Sequence, residues 1–413
     1  MIEFRDYQKD IISNGLVIIK KNKFLYLAME VRTGKTLTSL GICENLNIKK
    51  VLFITKKKAI SSIENDYELL YPDFELQVIN YESLHKVKQT GWDVVICDEA
   101  HGMGAFPKPS GRSKKVSNII ARSKPYVMLL SGTPTPESYS QMFHQVYFIP
   151  NNPFSQYKNF YKFAKEYVKV SQKKIGGLYI NDYSKGSKKI IEDMSLYTIN
   201  FSQKEAGFIV ETTEHILEVD IKPETINLIN KLKKDLVVEG ESEVILADTS
   251  VKLMTKVHQM CSGTIKFESG NSMVLDLSKA EFINKKFRGF KIGIFYKFKE
   301  ELNAIKEVFG DEICTDLDCF NTTNKNIALQ IVSGREGISL RKANALVYYN
   351  IDFSATSYWQ SRDRMTTKDR LKNDVYWIFS KGGIEKDIYK AVVKKKDYTL
   401  THFRRKFINL SSD

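Results

Sequence analysis

The chain has 413 residues, of which 42% are hydrophobic and 27% charged, and its formal net charge is +14. This composition is typical of soluble globular proteins of two or three domains, and the positive charge favours a polyanionic partner, although a Lys-rich chain from an AT-rich genome would carry the same charge. No apolar run reaches the roughly 20 residues that span a bilayer, and the N-terminus has no apolar core, so we expect neither a membrane protein nor a signal peptide.

Short apolar segments alternate with stretches long enough for crossover helices over residues 1–150. Continuous apolar runs of this length are typical of parallel strands buried on both faces. We therefore predict a first doubly wound α/β lobe. Its predicted strands are FLYLAM (24–29), VLFIT (51–55), LQVIN (76–80), DVVICDEA (93–100) and YVMLLSG (126–132).

Residues 151–211 are predicted to form an insertion on this lobe and a linker. NNPFSQYKNFYKFAKEYVKV (151–170) is aromatic, basic and helical in pattern, and QKKIGGLYINDYSKGSKK (172–189) is typical of a loop or hairpin. Aromatic residues interleaved with lysines suit base stacking and phosphate contact, so the insertion could engage a duplex. The alternative is that these aromatic residues form the insertion's own small core.

A second α/β lobe is predicted over residues 212–390. IKPETINLINKLKKDL (221–236) predicts a helix with proline in its first turn. The tail, 391–413, is basic and either contacts phosphates or is a solvated face. Predicted strands are HILEVDI (215–221), KIGIFY (291–296), IALQIVSG (327–334), ALVYYNI (345–351) and VYWIFS (375–380), and the basic tail residues are Lys394, Lys395, Lys396, Arg404 and Arg405.

The five cysteines are scattered, which predicts reduced thiols in a cytoplasmic protein. Cys43 and Cys97 are expected in the core of the first lobe. Cys314 and Cys319 are close in sequence, but no second pair completes a zinc site. His258 and Cys261 are likewise interpreted as packing residues of the second lobe.

The sequence EVRTGKT (30–36) follows a predicted strand and precedes a predicted helix, which is the context of a phosphate-binding loop. Amides at the helix N-terminus would face the anion. Lys35 would reach the β- and γ-phosphates, and Thr36 would bind Mg²⁺. Met29 stands where the full pattern has its first glycine, so this motif alone is weak evidence.

The sequence VVICDEAH (94–101) ends a predicted strand in two carboxylates. Asp98 is placed to hold Mg²⁺ and Glu99 to orient and deprotonate the attacking water, two roles that phosphoryl transfer requires. An exposed acidic loop would explain an isolated pair equally well. Here, however, the G-K-T and D-E-A-H motifs are followed by Ser131-Gly132-Thr133-Pro134, and all three lie at the carboxyl ends of predicted strands, where ligands bind in open α/β sheets.

With these motifs the chain resembles superfamily 2 helicases, and within them the Swi/Snf-type DNA translocases, including small phage members. The resemblance runs from about residue 3 to 380. It rests also on FRDYQ (4–8), ITKKKAI (54–60), Asn80-Tyr81-Glu82, LMTKVHQMCSG (253–263), KIGIFYKFKEEL (291–302), SGREGISLRKAN (333–344) and YWQSRDR (358–364).

The resemblance implies two RecA-like lobes that close around ATP and Mg²⁺. Gln8 would read the adenine edge. Lys35, Asp98, Glu99, Gln360 and Arg364 would be catalytic. The implied nucleotide-binding residues are Arg5, Gln8, Arg32, Thr33, Gly34, Lys35, Thr36 and Gly337, the implied nucleic-acid contacts are Lys56, Asn80, Tyr81, Lys297, Ser333 and Gly334, and the implied coupling residues are His101, Ser131 and Thr133.

One departure from the family pattern concerns the arginine finger. The family usually has a second arginine three residues after the first, and here that position is Thr367. Arg362, Lys368 or Arg370 could replace it in a shifted register. Because an arginine finger contributes several powers of ten in rate, either a neighbour fills the role or hydrolysis is slow.

Three functions follow as hypotheses. The first is a monomeric translocase on duplex or branched DNA that remodels forks or migrates branches. The second is an RNA helicase of the D-E-A-H type, which would lack the long C-terminal extensions of such enzymes. The third, which Thr367 supports, is a nucleic-acid clamp with a degraded ATPase. No protein partner is indicated.

Overall fold

A computed structural model describes residues 3–175, 178–208, 211–240, 243–334, 338–354, 357–358, 361–365 and 372–394. The chain forms two compact units, Met1–Phe208 and Ile209–Asp413. Within the described residues, no helix has the length and apolar character needed to cross a membrane.

Unit 1 contains a six-stranded parallel sheet in the order β3-β2-β4-β5-β1-β8 and an antiparallel hairpin of β6 and β7. The strands are β1 (Phe24–Met29), β2 (Lys50–Thr55), β3 (Glu75–Asn80), β4 (Val94–Cys97), β5 (Tyr126–Leu130), β6 (Ser171–Ile175), β7 (Leu178–Asp182) and β8 (Thr198–Phe201). The helices are α1 (Asp6–Asn22), α2 (Lys35–Glu44), α3 (Ile60–Leu70), α4 (Gly111–Ser123), α5 (Met142–Val146), α6 (Phe160–Tyr167) and α7 (Lys189–Met194).

The sheet of unit 1 is buried on both faces, as its apolar strands predict. In β1, Phe24 and Tyr26 pack in one hydrophobic cluster, while Leu25 and Leu27 pack in another. Side chains alternate between the faces of a strand, so a strand covered on both sides is apolar throughout. Cys43 and Cys97 are buried free thiols, in agreement with the prediction for them.

Unit 2 contains a second six-stranded parallel sheet, in the order β15-β16-β14-β17-β18-β9. The strands are β9 (Glu211–Val219), β10 (Val237–Glu239), β11 (Val244–Leu246), β12 (Thr264–Lys266), β13 (Ser272–Val274), β14 (Ile292–Tyr296), β15 (Ile313–Cys314), β16 (Asn326–Gln330), β17 (Ala345–Tyr348) and β18 (Lys372–Ser380). The helices are α8 (Pro223–Asp235), α9 (Ser250–Cys261), α10 (Ser278–Lys286), α11 (Lys299–Phe309), α12 (Leu317–Thr322), α13 (Ile331–Gly334) and α14 (Glu385–Val392). The predicted fold class, two parallel-sheet α/β lobes, is confirmed.

Several predicted strands end earlier than expected, among them β17, which ends at Tyr348. β4 ends at Cys97 and β5 at Leu130, so the acidic pair and the Ser131–Pro134 segment lie just beyond the strands. Glu99 has a φ of +50°, which is incompatible with an extended strand. IALQIVSG forms a strand only to Gln330 and then the helical turn α13, because a buried apolar run of this length does not distinguish strand from helix.

The stretch predicted as insertion and linker, 151–211, contributes to unit 1 in two ways. β8 pairs with β1 as the sixth strand of the main sheet. The aromatic residues of α6 pack inward: Phe160, Phe163 and Tyr167 are at most 4% exposed. These aromatic residues therefore do not form a small core of their own: they pack into the hydrophobic cluster on one face of the unit 1 sheet, although Tyr161 and Tyr179 are exposed. The predicted tail begins within α14, and residues 395–413 lie outside the described residues.

Candidate functional site

The predicted phosphate loop lies between the end of β1 at Met29 and the start of α2 at Lys35. Gly34 caps this helix with a φ of +82°, a conformation that glycine adopts without strain. A Cβ atom at Gly34 would lie 2.6 Å from Nε2 of Gln8, so a side chain there would also displace the end of the Gln8 side chain. The loop thus brings the first-turn amides of α2 to the carboxyl edge of the sheet, the arrangement that binds phosphate.

Lys35 is held against the end of β1. Its Nζ donates hydrogen bonds to the carbonyl oxygens of Met29, at 3.0 Å, and Glu30, at 3.2 Å. Thr33 is fully buried and donates its hydroxyl hydrogen to the Glu30 carbonyl oxygen at 2.7 Å, so its side chain shapes the loop. Thr36 is half-buried in the first turn of α2.

Gln8 connects α1 to the phosphate loop. Its Oε1 accepts from the Arg5 amide at 3.1 Å, and its Nε2 donates to the Thr38 hydroxyl at 3.3 Å and the Gly34 carbonyl at 3.5 Å. Arg5 is exposed and donates from Nη1 to the Tyr7 hydroxyl at 2.9 Å. Both predicted residues therefore lie beside the loop, and the adenine contact stays a prediction.

The first carboxylate of the acidic pair, Asp98, lies at the same edge of the sheet. Its Oδ2 accepts a hydrogen bond from the Thr55 hydroxyl at 2.8 Å. The pKa of Asp98 is raised from 3.8 to about 6, chiefly by burial and then by the charge of Glu99, while Lys35 and the Thr55 hydroxyl lower it. Lys35 follows β1 and Asp98 follows β4 of the same parallel sheet, so the phosphate loop and the acidic pair lie at the same carboxyl edge, and the charge of Lys35 lowers the pKa of Asp98.

The second carboxylate is linked to the segment after β5. Nδ1 of His101 lies 3.2 Å from Oε2 of Glu99 and 2.9 Å from Oγ of Ser131. The same Ser131 Oγ accepts from the backbone amide of Thr133 at 3.1 Å. The three predicted coupling residues are therefore joined to Glu99 by one continuous series of polar contacts.

The structure also identifies supporting residues that the sequence motifs do not include. Thr55 ends β2 and reaches Asp98, and the Tyr7 hydroxyl donates to the Thr33 carbonyl oxygen at 3.2 Å. Gln203, in the turn after β8, donates hydrogen bonds to the phosphate loop. Thr55 has a sequence signal, since it is the polar end of a buried strand, but Gln203 has none.

Three nucleic-acid contacts were predicted in unit 1. Lys56 follows β2, Asn80 is the last residue of β3, and both are half-buried. Tyr81 is different: it is 1% exposed, and its hydroxyl donates to the Asp98 carbonyl oxygen at 2.6 Å. This burial argues against a direct contact of the ring with a ligand on the surface, and the assignment of Tyr81 to the nucleic-acid interface stays a prediction. Tyr81 supports the acidic pair.

Two of the predicted residues of unit 2, Lys297 and Arg364, are bonded within their own unit. Nζ of Lys297 lies 2.6 Å from Oδ1 of Asp352 and 4.0 Å from the centre of the Phe353 ring, so a nucleic-acid contact would have to compete with this ion pair. Arg364 is 8% exposed, and its Nη1 donates to the Ile338 carbonyl oxygen at 3.4 Å.

The remaining predictions for unit 2 concern the arginine finger and the Gly-rich turn. Nη1 of Arg362, one proposed substitute for the missing arginine, lies 3.0 Å from Oε1 of Glu214. The other positions fall partly or wholly outside what the structure describes: Ser333 and Gly334 are described only as backbone of α13, and the description does not include Gly337, Gln360, Thr367, Lys368 and Arg370.

The residues at the carboxyl edge of unit 1 fit Mg²⁺ with a nucleotide. Thr36 and Asp98 supply hydroxyl and carboxylate oxygens, and Mg²⁺ usually takes only one or two protein oxygens together with phosphates and water. Among the described residues no three His, Cys, Asp or Glu side chains form a metal-binding group, so a site enclosed by protein ligands is not seen in that part of the chain.

Comparison with known proteins places the chain among helicase-like ATPases. The model of the SNF2-related domain matches residues 47–265, and that of the Type III restriction enzyme res subunit matches residues 1–74. The SWI2/SNF2 ATPase core of Sulfolobus solfataricus, solved alone and in complex with dsDNA, is 16% identical, with TM-scores of 0.43 and 0.42. Both comparisons cover 100% of this chain, and 91% and 93% of the solved chains.

Two curated relatives are the CHD3-type chromatin-remodeling factors CHR7 and PICKLE of Arabidopsis thaliana. Each is 20% identical to this chain, over 365 and 388 residues. The matches cover 78% and 82% of the chain but 28% and 26% of the relatives, so the chain spans about a quarter of their length. Because the SNF2-related model matches more than half of the chain, the chain belongs to the SNF2-related family of superfamily 2, as its motifs predict.

Proposed function

We propose that this chain is a nucleic-acid-dependent ATPase that translocates along DNA. The observation that carries the proposal is that Lys35, after β1, and Asp98 and Glu99, after β4, lie at the same carboxyl edge of the sheet, together with the polar series from Glu99 through His101 to Ser131. A site for phosphate, a metal-binding carboxylate and a second carboxylate is what ATP hydrolysis requires. The polar series connects that site to the segment after β5.

Each residue has a defined role in this proposal. Lys35 and the first-turn amides of α2 hold the β- and γ-phosphates, and Lys35 exchanges its carbonyl partners for phosphate oxygens. Thr36 and Asp98 hold Mg²⁺, which neutralises phosphate charge when bound. Glu99 orients the attacking water and accepts its proton. The contributions of Gln360 and Arg364 from unit 2 remain predictions.

DNA is the proposed track, in duplex or branched form. The net charge of +14 supports a polyanionic partner, and family membership favours DNA over RNA. Lys56 and Asn80 are the unit 1 residues proposed to contact the backbone. We further propose that translocation serves fork remodelling or branch migration, as part of replication and recombination.

Thr367 supports a second candidate, a nucleic-acid clamp with weak ATPase. Nη1 of Arg362 is already paired with Glu214, which makes Arg362 a poor replacement for the missing arginine. The two candidates differ in turnover, because a clamp binds nucleic acid tightly without hydrolysing ATP at a rate that nucleic acid stimulates.

The test is steady-state ATPase activity with duplex DNA, branched DNA, single-stranded DNA and duplex RNA. A translocase on duplex or branched DNA predicts strong stimulation by these two, and no activity in Lys35→Ala and Glu99→Gln. Selective stimulation by RNA would favour an RNA helicase. Tight binding with no stimulated turnover would favour the clamp, and turnover that persists in both variants would exclude the assigned site.

A further inference from the structure

The chain forms a self-supported turn directly after β8, which we call the Ser202–Phe208 turn. The Ser202 amide donates to Oε2 of Glu205 at 2.7 Å, and the Glu205 amide donates back to Oγ of Ser202 at 3.2 Å. The Phe208 amide donates to the Gln203 carbonyl oxygen at 3.0 Å and closes the turn. Reciprocal bonds of this kind fix a short segment without help from its neighbours.

Gln203 attaches this turn to the phosphate loop at two points. Its backbone amide donates to Oε2 of Glu30 at 2.8 Å, and its side-chain Nε2 donates to the Val31 carbonyl oxygen at 3.0 Å. The adjacent Phe201 carbonyl accepts from the Glu30 amide at 2.9 Å. The loop is therefore bonded to the turn through both its backbone and a side chain.

The residue that Gln203 holds is also the residue that holds the predicted catalytic lysine. The Glu30 carbonyl oxygen accepts from Lys35 Nζ at 3.2 Å and from the Thr33 hydroxyl at 2.7 Å. If phosphate draws Lys35 away from this carbonyl, the hydrogen bonding of Glu30 changes. Because Gln203 is bonded to the side chain of Glu30 and to the next carbonyl, that change reaches the turn.

We propose that Gln203 is a positioning residue that couples nucleotide occupancy of the phosphate loop to the Ser202–Phe208 turn. This inference rests on the proposed function, since it takes ATP as the ligand of the loop. The turn ends unit 1, and the next residue, Ile209, begins unit 2. The amide and the side chain of Gln203 bond to the phosphate loop, and its carbonyl oxygen accepts from Phe208, the last residue of unit 1.

A purely structural buttress would use the same contacts, so the test must separate the two roles. Hydrogen–deuterium exchange is measured on the full chain, without nucleotide and with Mg²⁺ and ADP. Peptides that cover residues 30–36 and 202–208 are compared. The variants are Gln203→Ala and Gln203→Met, which keeps the side-chain length but removes the donor, and the control is Gln89→Ala at an exposed glutamine.

In the wild type and in Gln89→Ala, nucleotide is expected to slow exchange in both peptides. In either Gln203 variant, nucleotide still protects residues 30–36, but the half-saturating nucleotide concentration rises about fivefold. Nucleotide no longer protects residues 202–208 in these variants. Protection of 202–208 that persists in both Gln203 variants overturns the proposal, as does a wild type protected only at 30–36. Absence of protection at 30–36 in the wild type overturns the nucleotide site itself and this proposal with it.

Discussion

The hydroxyl of Thr55 donates a hydrogen bond to the carboxylate of Asp98, with 2.8 Å between Oγ1 and Oδ2. Thr55 ends β2 and Asp98 follows β4, so the bond joins neighbouring strands at the edge where the phosphate loop lies. It fixes the orientation of the residue proposed to hold Mg²⁺. Loss of a partner of this kind typically lowers metal affinity or activity by roughly 10- to 100-fold.

Replacing Thr55 by valine should weaken Mg²⁺ binding. The valine keeps the shape of the buried side chain but cannot donate, so Asp98 loses its fixed orientation. We expect Mg²⁺-dependent ATPase activity to fall roughly 10- to 100-fold, mainly through a higher Mg²⁺ requirement. Mg²⁺ titration of the ATPase rate measures this, and Thr55→Ser, which keeps the hydroxyl, is the matched control. Equal Mg²⁺ requirements in Thr55→Val and wild type would contradict the assignment.

Replacing Asp98 by asparagine should stabilise the nucleotide-free protein while it abolishes hydrolysis. The folded-state pKa of Asp98, about 6, lies above its ordinary value of 3.8. With respect to Asp98, the free energy of unfolding is therefore highest below pH 3.8. Part of this stability is lost as the pH rises through 6, because the buried carboxyl group becomes charged. At pH 7 this loss amounts to about 2–3 kcal/mol, which the neutral asparagine avoids.

Thermal unfolding in EDTA tests this prediction. The melting temperature of Asp98→Asn should exceed that of wild type by several degrees at pH 7, and the difference should shrink as the pH falls toward 4. Glu99→Gln is a useful comparison, because it changes the neighbouring carboxylate, whose charge contributes to the raised pKa of Asp98. A lower melting temperature for Asp98→Asn at pH 7 would show that the charged carboxylate does not destabilise the nucleotide-free protein.

Replacing His101 by alanine should uncouple hydrolysis from nucleic acid. The imidazole is the link between Glu99 and Ser131, and its loss interrupts the polar series without removing a phosphate or metal ligand. We expect stimulation of ATPase activity by DNA to fall about tenfold, while the activity without DNA changes far less. The ratio of stimulated to unstimulated rates measures the effect, with His85→Ala, at an exposed histidine, as control. An equal loss in both rates would make His101 a residue of the hydrolytic site alone.

Tyr81 and Lys56 should differ in their effects on DNA binding. Tyr81→Phe removes the hydrogen bond to the Asp98 carbonyl and should cost about 1 kcal/mol of unfolding free energy, with DNA affinity unchanged. Lys56→Ala should lower DNA affinity and reduce the salt dependence by about one unit of slope, as expected for one phosphate contact. Binding measured over a range of salt concentrations separates the two, and a loss of affinity in Tyr81→Phe would support a contact of Tyr81 with DNA.

The sequence predicts the parts of the site that local structure determines. Lys35 follows a buried strand and opens a helix, and both features are visible in a few consecutive residues. The burial of Tyr81 is not predictable in this way, because its ring packs among side chains distant in sequence. The same holds for β8, whose pairing with β1 depends on the folding of everything between them.

The pairing of β8 with β1 has a consequence for how the protein is made. The phosphate loop is synthesised early. However, β8 and Gln203, which bonds to Glu30, lie up to 173 residues after Glu30 in the chain. Until they leave the ribosome, β1 is an unpaired edge of a nascent sheet, a surface prone to wrong pairing. A recombinant fragment that stops near residue 150 would expose this edge permanently, so expression of the first unit alone should extend to Phe208.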